Sequence, residues 1–227
     1  MKEKKISIVG ITLITAFIIW TILIQIVDVQ AIGVNGTDVG FATINCWFHK
    51  LTGENMAIYY ITDWMGLIPI LSCMIFGVVG FIQLIKRKSL LKVDLDIIFL
   101  GIYYIVVILA YLFFEMIPIN YRPILIEGTM EVSYPSSTTL LVLSVMPTVS
   151  FQNHRRIKNI TIRNVIYIFI VLFSLFMAIG RTVSGVHWLT DIIGSILFSI
   201  GLYLIYKSIV MRFDKKRELA EVNSGIQ

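Results

Sequence analysis

The sequence predicts an all-α integral membrane protein built as a bundle of six transmembrane helices. Of its 227 residues, 57% are hydrophobic and 15% are charged, whereas soluble domains carry about a quarter charged residues. The apolar residues also stand in long blocks, and about 20 of them in a row let a helix cross the hydrocarbon of a membrane. Both observations predict a single membrane domain over residues 1–227 and exclude an ordinary soluble protein.

Six blocks of the sequence are apolar enough to be membrane helices. They are Ile6–Val27, Trp64–Ile85, Ile97–Met116, Ser136–Phe151, Val165–Ile179 and His187–Val210. The fourth and fifth are short, so we expect these helices to run past the limits given. The first block follows three lysines like a signal peptide, but it is longer than a usual signal core and lacks a clear cleavage site. We expect it to be retained; a cleaved signal would leave five helices.

The basic residues indicate how the bundle is oriented. If the helices alternate in direction, sixteen of the nineteen Lys and Arg lie on the side of the N-terminus, and only Lys50, Arg122 and Arg181 lie on the other. This positive-inside bias predicts a multi-pass protein of the cell membrane with both termini in the cytoplasm and a charged cytoplasmic tail over residues 214–227. The net charge of +5 is thereby explained by anionic lipid head groups, and no nucleic-acid partner is needed.

The first outer connection, Asp28 to Asp63, is the longest. Within it, the apolar residues of Val39–Leu51 fall on roughly one helical face, which predicts a short amphipathic helix with Trp47 at the depth of the head groups. An ordered loop packed on the bundle is the alternative. Its Cys46 and the membrane-embedded Cys73 are expected to be unpaired structural thiols, because no metal-binding spacing such as CxxC occurs.

Ionisable residues at membrane depth are costly and therefore indicate function. Here they gather at the outer helix ends: Arg122, Arg181, His187 and Asp191. If the last helix begins near His187, Asp191 lies on the same face four residues later and can hold one imidazole nitrogen, which leaves the other as nucleophile or base. Arg181, in a predicted tight turn at Gly180–Val186, can direct its guanidinium at a phosphate. A helix-capping His–Asp pair is the alternative.

The segment Tyr134-Pro-Ser-Ser-Thr-Thr139 is typical of a helix start. Proline is favoured at the first helical position, and the free N–H groups of a helix start, together with the helix dipole, can bind an anion. Ser136 and Ser137 are candidate phosphate-binding residues there. Arg122, a dozen residues earlier, can reach the same position.

The spacing of these residues resembles the signature of the type 2 phosphatidic acid phosphatase (PAP2) superfamily, which also includes vanadium haloperoxidases. Its three motifs correspond here to Arg122-Pro123, Pro135-Ser136 and Arg181-x5-His187-x3-Asp191. The resemblance implies that His187 attacks phosphorus to form a phosphohistidine and that Asp191 orients it. It also implies that Arg122 and Arg181 bind phosphate oxygens, and that no metal or other cofactor is required. Gly180 stands where the third motif usually begins with serine.

Two further departures from the family pattern concern the chemistry. Glu115 occupies the place of the first motif's lysine, and Thr138 replaces the histidine of the second motif, which protonates the leaving group in the family. Threonine cannot act as a general acid near neutral pH, and loss of such an acid costs about 10²–10⁴-fold in rate. The positions considered for this role are Thr138, because it stands in the place of the family's histidine, and then His49 and Glu115. Glu127 and Glu131 are further outer carboxylates.

These features together predict an outward-facing lipid phosphatase. Its partners are a lipid phosphate or diphosphate substrate and the surrounding membrane lipids. A polyprenyl diphosphate is favoured because a phosphate leaving group needs less protonation than an alkoxide. The alternatives are a lipid phosphotransferase with the same residues, or a catalytically silent lipid-phosphate binder or transport-associated protein on the same fold.

Overall fold

The regular structure of the chain is helical, which confirms the predicted all-α class. A computed structural model describes residues 2–224. The helices are α1 (Lys2–Ile24), α2 (Ala42–Thr52), α3 (Met56–Met65), α4 (Leu67–Arg87), α5 (Leu95–Met116), α6 (Ser137–Arg156), α7 (Ile160–Val183) and α8 (Leu189–Ser224).

Five helical stretches among the described residues are long and apolar enough to cross a membrane, one fewer than the sequence predicts. They are Lys2–Ile24, Met56–Arg87, Leu95–Met116, Ile160–Val183 and Leu189–Val222. The predicted fourth span is α6, which has 20 residues but is too polar for this class. Its polar groups are buried against neighbouring helices, where the hydroxyl of Tyr104 lies 2.8 Å from that of Thr148. A helix enclosed by others does not need an apolar surface of its own.

The first outer connection is shorter than the sequence predicts. Its last part forms α3, which continues across a break at Gly66 into α4. The predicted amphipathic helix is present as α2. Asn45 on its buried side donates to Thr190 Oγ1 at 3.0 Å, which ties α2 to the start of α8. Trp47 on the other side is 60% exposed, as a side chain that faces lipid head groups requires.

Helix α1 is packed against the rest of the bundle. It packs along α8, and the two backbones approach closely where Gly10 faces Gly201. A Cβ atom at Gly10 would lie 2.9 Å from the Gly201 carbonyl oxygen. Nearer the other end of α1, the indole N–H of Trp20 donates to Thr190 O at 3.1 Å.

Three predicted boundaries are corrected by the structure, two of them near the candidate site. Helix α7 extends to Val183, so Arg181 lies in its last turn and not in a loop; the burial and hydrogen bonds of this arginine hold the additional turn. Helix α6 begins at Ser137, so Pro135 precedes the helix. Helix α8 continues to Ser224, so most of the predicted tail is helical, and residues 225–227 lie outside the described range.

The opposite end of the bundle is fastened by ion pairs. Asp96, in the first turn of α5, lies 2.8 Å from Arg156 and 3.3 Å from Arg155 at the end of α6. Arg155 also donates to Asp214 of α8 at 2.9 Å. Some of the basic residues that the sequence assigns to topology therefore also join α5, α6 and α8.

Candidate active site

Five buried polar side chains meet at the end of the bundle where α7 ends and α6 and α8 begin. They are Arg122 and Ser133 from the loop after α5, Arg181 from α7, His187 from the turn before α8, and Asp191 from α8. The structure therefore brings Arg122 of the first motif together with the three residues of the third motif, Arg181, His187 and Asp191. It adds Ser133, which the sequence pattern did not indicate.

His187 keeps one ring nitrogen free of hydrogen bonds to the described residues. Its Nδ1 lies 3.1 Å from the Ser133 carbonyl oxygen, which can only accept, so Nδ1 carries the proton and Nε2 keeps its lone pair. Nε2 is buried, without a hydrogen-bond partner among the described residues. Burial, and then the positive charges of Arg122 and Arg181, lower the pKa of His187 well below its usual range. Because its pKa is lowered, the imidazole is neutral at physiological pH. His187 lies just before the membrane span Leu189–Val222.

Asp191 acts on His187 largely through Ser133. The carboxylate Oδ2 is 3.7 Å from His187 Nδ1, which is longer than the direct hydrogen bond that the sequence predicts. The Ser133 hydroxyl lies between them: it donates to Asp191 Oδ2 and lies 3.1 Å from His187 Nδ1. Asn120 Nδ2 at 3.3 Å and the Trp188 backbone N–H at 2.9 Å also donate to this carboxylate. Asp191 is therefore fixed from several sides, and it also caps the start of α8.

Ser133 is held in position by its neighbour Tyr134. The Tyr134 hydroxyl lies 2.7 Å from Thr21 Oγ1 on α1, and its ring packs against Gly194 of α8. A Cβ atom at Gly194 would lie 2.5 Å from the tyrosine ring, so only glycine admits the ring there. The one feature of the sequence that could have indicated Ser133 is its position as a hydroxyl residue directly before the Tyr-Pro-Ser segment.

Arg181 makes more side-chain hydrogen bonds than Arg122, the other arginine of the site. Nη2 donates to Thr138 Oγ1 at 2.7 Å and to Asp63 Oδ1 at 3.3 Å. Nη1 donates to Tyr59 O at 3.4 Å and to Thr62 Oγ1 at 3.5 Å. The guanidinium carbon is 4.8 Å from the centre of the Tyr59 ring, a cation–π distance. Its Nε is buried and has no partner among residues 2–224.

Arg122 approaches the same aromatic ring from the loop after α5. Its guanidinium carbon is 5.7 Å from the centre of the Tyr59 ring, and Nε is 3.0 Å from Glu131 Oε2. The backbone N–H of Arg122 also donates to Glu131 O at 3.0 Å, so a short hairpin fixes the pair. Nη1 is buried and lacks a partner in the described part of the chain.

The two candidate phosphate-binding serines at the start of α6 differ in their surroundings. Ser136 is fully buried and its hydroxyl donates to Thr139 Oγ1 at 3.0 Å. Its carbonyl accepts from Ser195 of α8 at 3.0 Å, so it stabilises the contact between α6 and α8. Ser137 borders a cavity beside the site. It stands in the first turn of α6, where backbone N–H groups have no acceptor within the helix.

The candidates for the leaving-group acid are dispersed. Thr138 is bound to Arg181, as described. His49 Nε2 donates to Gly185 O at 3.0 Å, and its ring centre is 5.7 Å from that of Trp188, so it supports the turn that carries His187. Glu115 is exposed and borders a separate small cavity.

A cavity of about 540 Å³ leads from the site into the membrane region between α4, α5 and α6. Its polar end is formed by Asp63, Ser137 and Thr138. Its walls are mostly apolar and include Leu67, Ile70, Ile108 and Leu112, all of them well exposed at the bundle surface. The cavity is therefore an apolar groove, open to the side, with a charged end beside Arg181. We call it the lateral groove.

Comparison with known proteins identifies a family and a similar fold. A model of the PAP2 superfamily matches residues 41–215 of the chain. The fold is similar to the crystal structure of a transmembrane PAP2-type phosphatidylglycerolphosphate phosphatase from Bacillus subtilis, with a TM-score of 0.56 and 19% sequence identity. The similarity covers 91% of this chain and 96% of that one. No curated protein sequence matches the chain.

Proposed function

Because the chain belongs to the PAP2 superfamily, we propose that it is a membrane lipid phosphatase that uses His187 as its nucleophile. The proposal combines the family membership with the geometry of the site. It includes the chemical class of the substrate, a phosphate or diphosphate carried on a lipid, and a site at the outer face of the cell membrane.

One observation carries the proposal: three buried polar atoms of the site have neither a hydrogen-bond partner nor an ion-pair partner among the described residues. Two are donors, Arg122 Nη1 and Arg181 Nε, and the third is the acceptor His187 Nε2. Buried polar groups are normally satisfied, and an unsatisfied one costs about 1–3 kcal/mol. A phosphoryl group suits all three, because its oxygens accept from the arginines while its phosphorus receives the histidine lone pair.

The lateral groove supports a lipid as the carrier of the phosphate. An acyl or prenyl chain in the groove would lie against Leu67, Ile70, Ile108 and Leu112. Its phosphate would then reach Arg181 at the polar end. A water-soluble phosphate ester would gain nothing from such walls, since burial of apolar surface contributes about 25 cal/mol per Å².

The proposed reaction proceeds in two steps. His187 Nε2 attacks phosphorus, the bond from phosphorus to the lipid oxygen breaks, and a phosphohistidine forms. Ser133 and Asp191 hold the imidazole, and Arg122 and Arg181 stabilise the charge on the transferring group. Water then hydrolyses the phosphohistidine and releases phosphate; a lipid alcohol in place of water would make the protein a phosphotransferase.

The orientation of the site is inferred from the distribution of basic residues. The end of the bundle with Arg155 and Arg156 carries most of the Lys and Arg, so by the positive-inside rule the opposite, His187-containing end faces outward. A thiol reagent that cannot cross membranes tests this in a cysteine-free background. We expect it to label a Lys50→Cys variant in intact cells and to leave Lys158→Cys unlabelled.

Phosphate release by the purified, detergent-solubilised protein tests the proposed function. Undecaprenyl diphosphate, phosphatidate and phosphatidylglycerol phosphate are offered to the wild type, to His187→Ala and to His154→Ala, which changes an exposed histidine at the other end of the bundle. We expect release by the wild type and by His154→Ala, and none by His187→Ala, which should still bind the lipid phosphate.

A silent lipid-phosphate binder is the second candidate, and the threonine at position 138 favours it. In that case none of the three lipids releases phosphate above the level of His187→Ala, although they bind. This result would reject the phosphatase proposal and keep the phosphate site.

A further inference from the structure

We propose that Asp63 donates the proton to the leaving group, in the place of the histidine that position 138 lacks. The inference rests on the proposed phosphatase function. Asp63 lies near the end of α3, far in sequence from the three motifs, and neither the motifs nor the hydropathy pattern singles it out.

The position of Asp63 is defined by the same nitrogen that binds Thr138. Arg181 Nη2 donates to Thr138 Oγ1 at 2.7 Å and to Asp63 Oδ1 at 3.3 Å, so the two oxygens are close neighbours. Both residues also border the polar end of the lateral groove. A carboxyl group therefore lies next to the position from which the family's histidine would act.

The bend between α3 and α4 keeps Asp63 close to α6. The Gly66 N–H donates to Asp63 O at 3.0 Å, and a Cβ atom at Gly66 would be 3.5 Å from Thr138 Cγ2. The backbone that carries Asp63 is thus packed against the start of α6. Its side chain is still 54% exposed, so the carboxyl group can exchange protons with water.

A purely structural role explains Asp63 poorly. Its contact with Arg181 is long, at 3.3 Å, and solvent screens the attraction because the Asp63 side chain is 54% exposed. Arg181 has three other oxygen acceptors, from Tyr59, Thr62 and Thr138. A carboxylate beside a phosphate site would also repel the negatively charged substrate, a cost that a purely structural contact does not explain.

Asp63 receives its first proton from the singly protonated phosphate of a bound substrate. It transfers this proton to the lipid oxygen while the bond from that oxygen to phosphorus breaks and the bond from His187 Nε2 to phosphorus forms. The Asp63 carboxylate then removes a proton from the water molecule that attacks the phosphohistidine, which returns Asp63 to its protonated form.

The test uses leaving groups that differ in their need for a proton. Asp63→Asn keeps an oxygen that can accept from Arg181 but cannot deliver a proton. We expect kcat/KM of the purified protein to fall about 10²–10⁴-fold for phosphatidate and far less for 4-nitrophenyl phosphate, whose phenolate leaves without a proton. Glu54→Gln, an exposed carboxylate two residues before α3, is the matched control and should keep wild-type rates.

A second variant tests the position directly. Thr138→His in the Asp63→Asn background restores the family's proton donor. We expect kcat/KM for phosphatidate to be at least tenfold higher in this double variant than in Asp63→Asn alone. Equal losses on both substrates would make Asp63 a binding residue only, and no loss would exclude any catalytic part. A wild type inactive on every lipid would reject the phosphatase function and the role of Asp63 together, whereas an active wild type with an unimpaired Asp63→Asn would reject the role of Asp63 alone.

Discussion

Thr138 accepts a 2.7 Å hydrogen bond from Nη2 of Arg181. The residue that departs from the family's second motif is therefore a fixed partner of the arginine in the third motif. Threonine at this position supplies an acceptor that orients the guanidinium, but it supplies no proton. A histidine at position 138 could both orient Arg181 and donate a proton. In our proposal Thr138 orients Arg181 and Asp63 donates the proton.

Replacing Thr138 by valine is expected to weaken phosphate binding. The change keeps the shape of the side chain and removes the acceptor of Arg181. A hydrogen bond to a charged group contributes about 1.5–3 kcal/mol, so the inhibition constant of inorganic phosphate should rise tenfold or more. Thr182→Val is the control, because Thr182 donates only to the carbonyl of Ala178 in its own helix. An unchanged constant for Thr138→Val would show that Arg181 is positioned without it.

Replacing Ser133 by alanine is expected to lower kcat about 10- to 100-fold with little change in KM. The hydroxyl connects Asp191 to His187, whereas the Ser133 carbonyl that fixes the ring tautomer remains. The effect should therefore be smaller than that of His187→Ala. Ser72→Ala, which removes a hydroxyl bonded within its own helix to Ile68 O, serves as the control. A change confined to KM would contradict a role for Ser133 in positioning the nucleophile.

The stability of the protein is expected to fall in mild acid because His187 is buried in its neutral form. The pKa of His187 is well below its ordinary value of 6.5, so below pH 6.5 the unfolded chain binds a proton that the folded protein does not. The contribution of His187 to the free energy of unfolding is therefore complete above pH 6.5. Below that pH the free energy of unfolding falls by at most about 1.4 kcal/mol per pH unit. Unfolding temperatures in detergent between pH 7.5 and 5 measure it.

The variant His187→Gln should flatten this dependence, since it removes the group that titrates. His154→Gln should keep the wild-type dependence, because His154 is exposed at the opposite end. Parallel curves for the wild type and His187→Gln would mean that His187 does not gain a proton on unfolding in this range.

Restoring the family's serine at position 180 is expected to destabilise the protein. A Cβ atom at Gly180 would lie 2.7 Å from Thr62 Cγ2, so Gly180→Ser forces α3 away from α7 at the position of Arg181. Such overpacking costs about 1–3 kcal/mol. The double variant Gly180→Ser with Thr62→Ala makes room and should recover most of the lost unfolding temperature. A stable single variant would show that α3 moves freely at this contact.

Much of the architecture could be predicted from the sequence because membrane helices are encoded locally. The predicted blocks Ile6–Val27 and Ile97–Met116 stand out because residues that meet lipid must be apolar whatever lies beside them. Helix α6 did not fit this rule, because helices surround it: the Thr148 hydroxyl pairs with the hydroxyl of Tyr104, and the Ser144 backbone carbonyl accepts from the hydroxyl of Tyr103. Residues that are buried by other helices can be polar, whereas residues that face lipid must be apolar. Only the tertiary packing shows which of the two surrounds a given helix.

The sequence by itself determined which residues are the candidates for phosphate chemistry: Arg122, Arg181, His187 and Asp191 follow from their type, spacing and membrane depth. Only the tertiary structure decided how they are connected. It interposed Ser133 between His187 and Asp191 and brought Asp63 to Arg181. The spacing within one helix is fixed by local geometry, whereas contacts between residues 63, 138 and 181 depend on how three separate helices pack against each other.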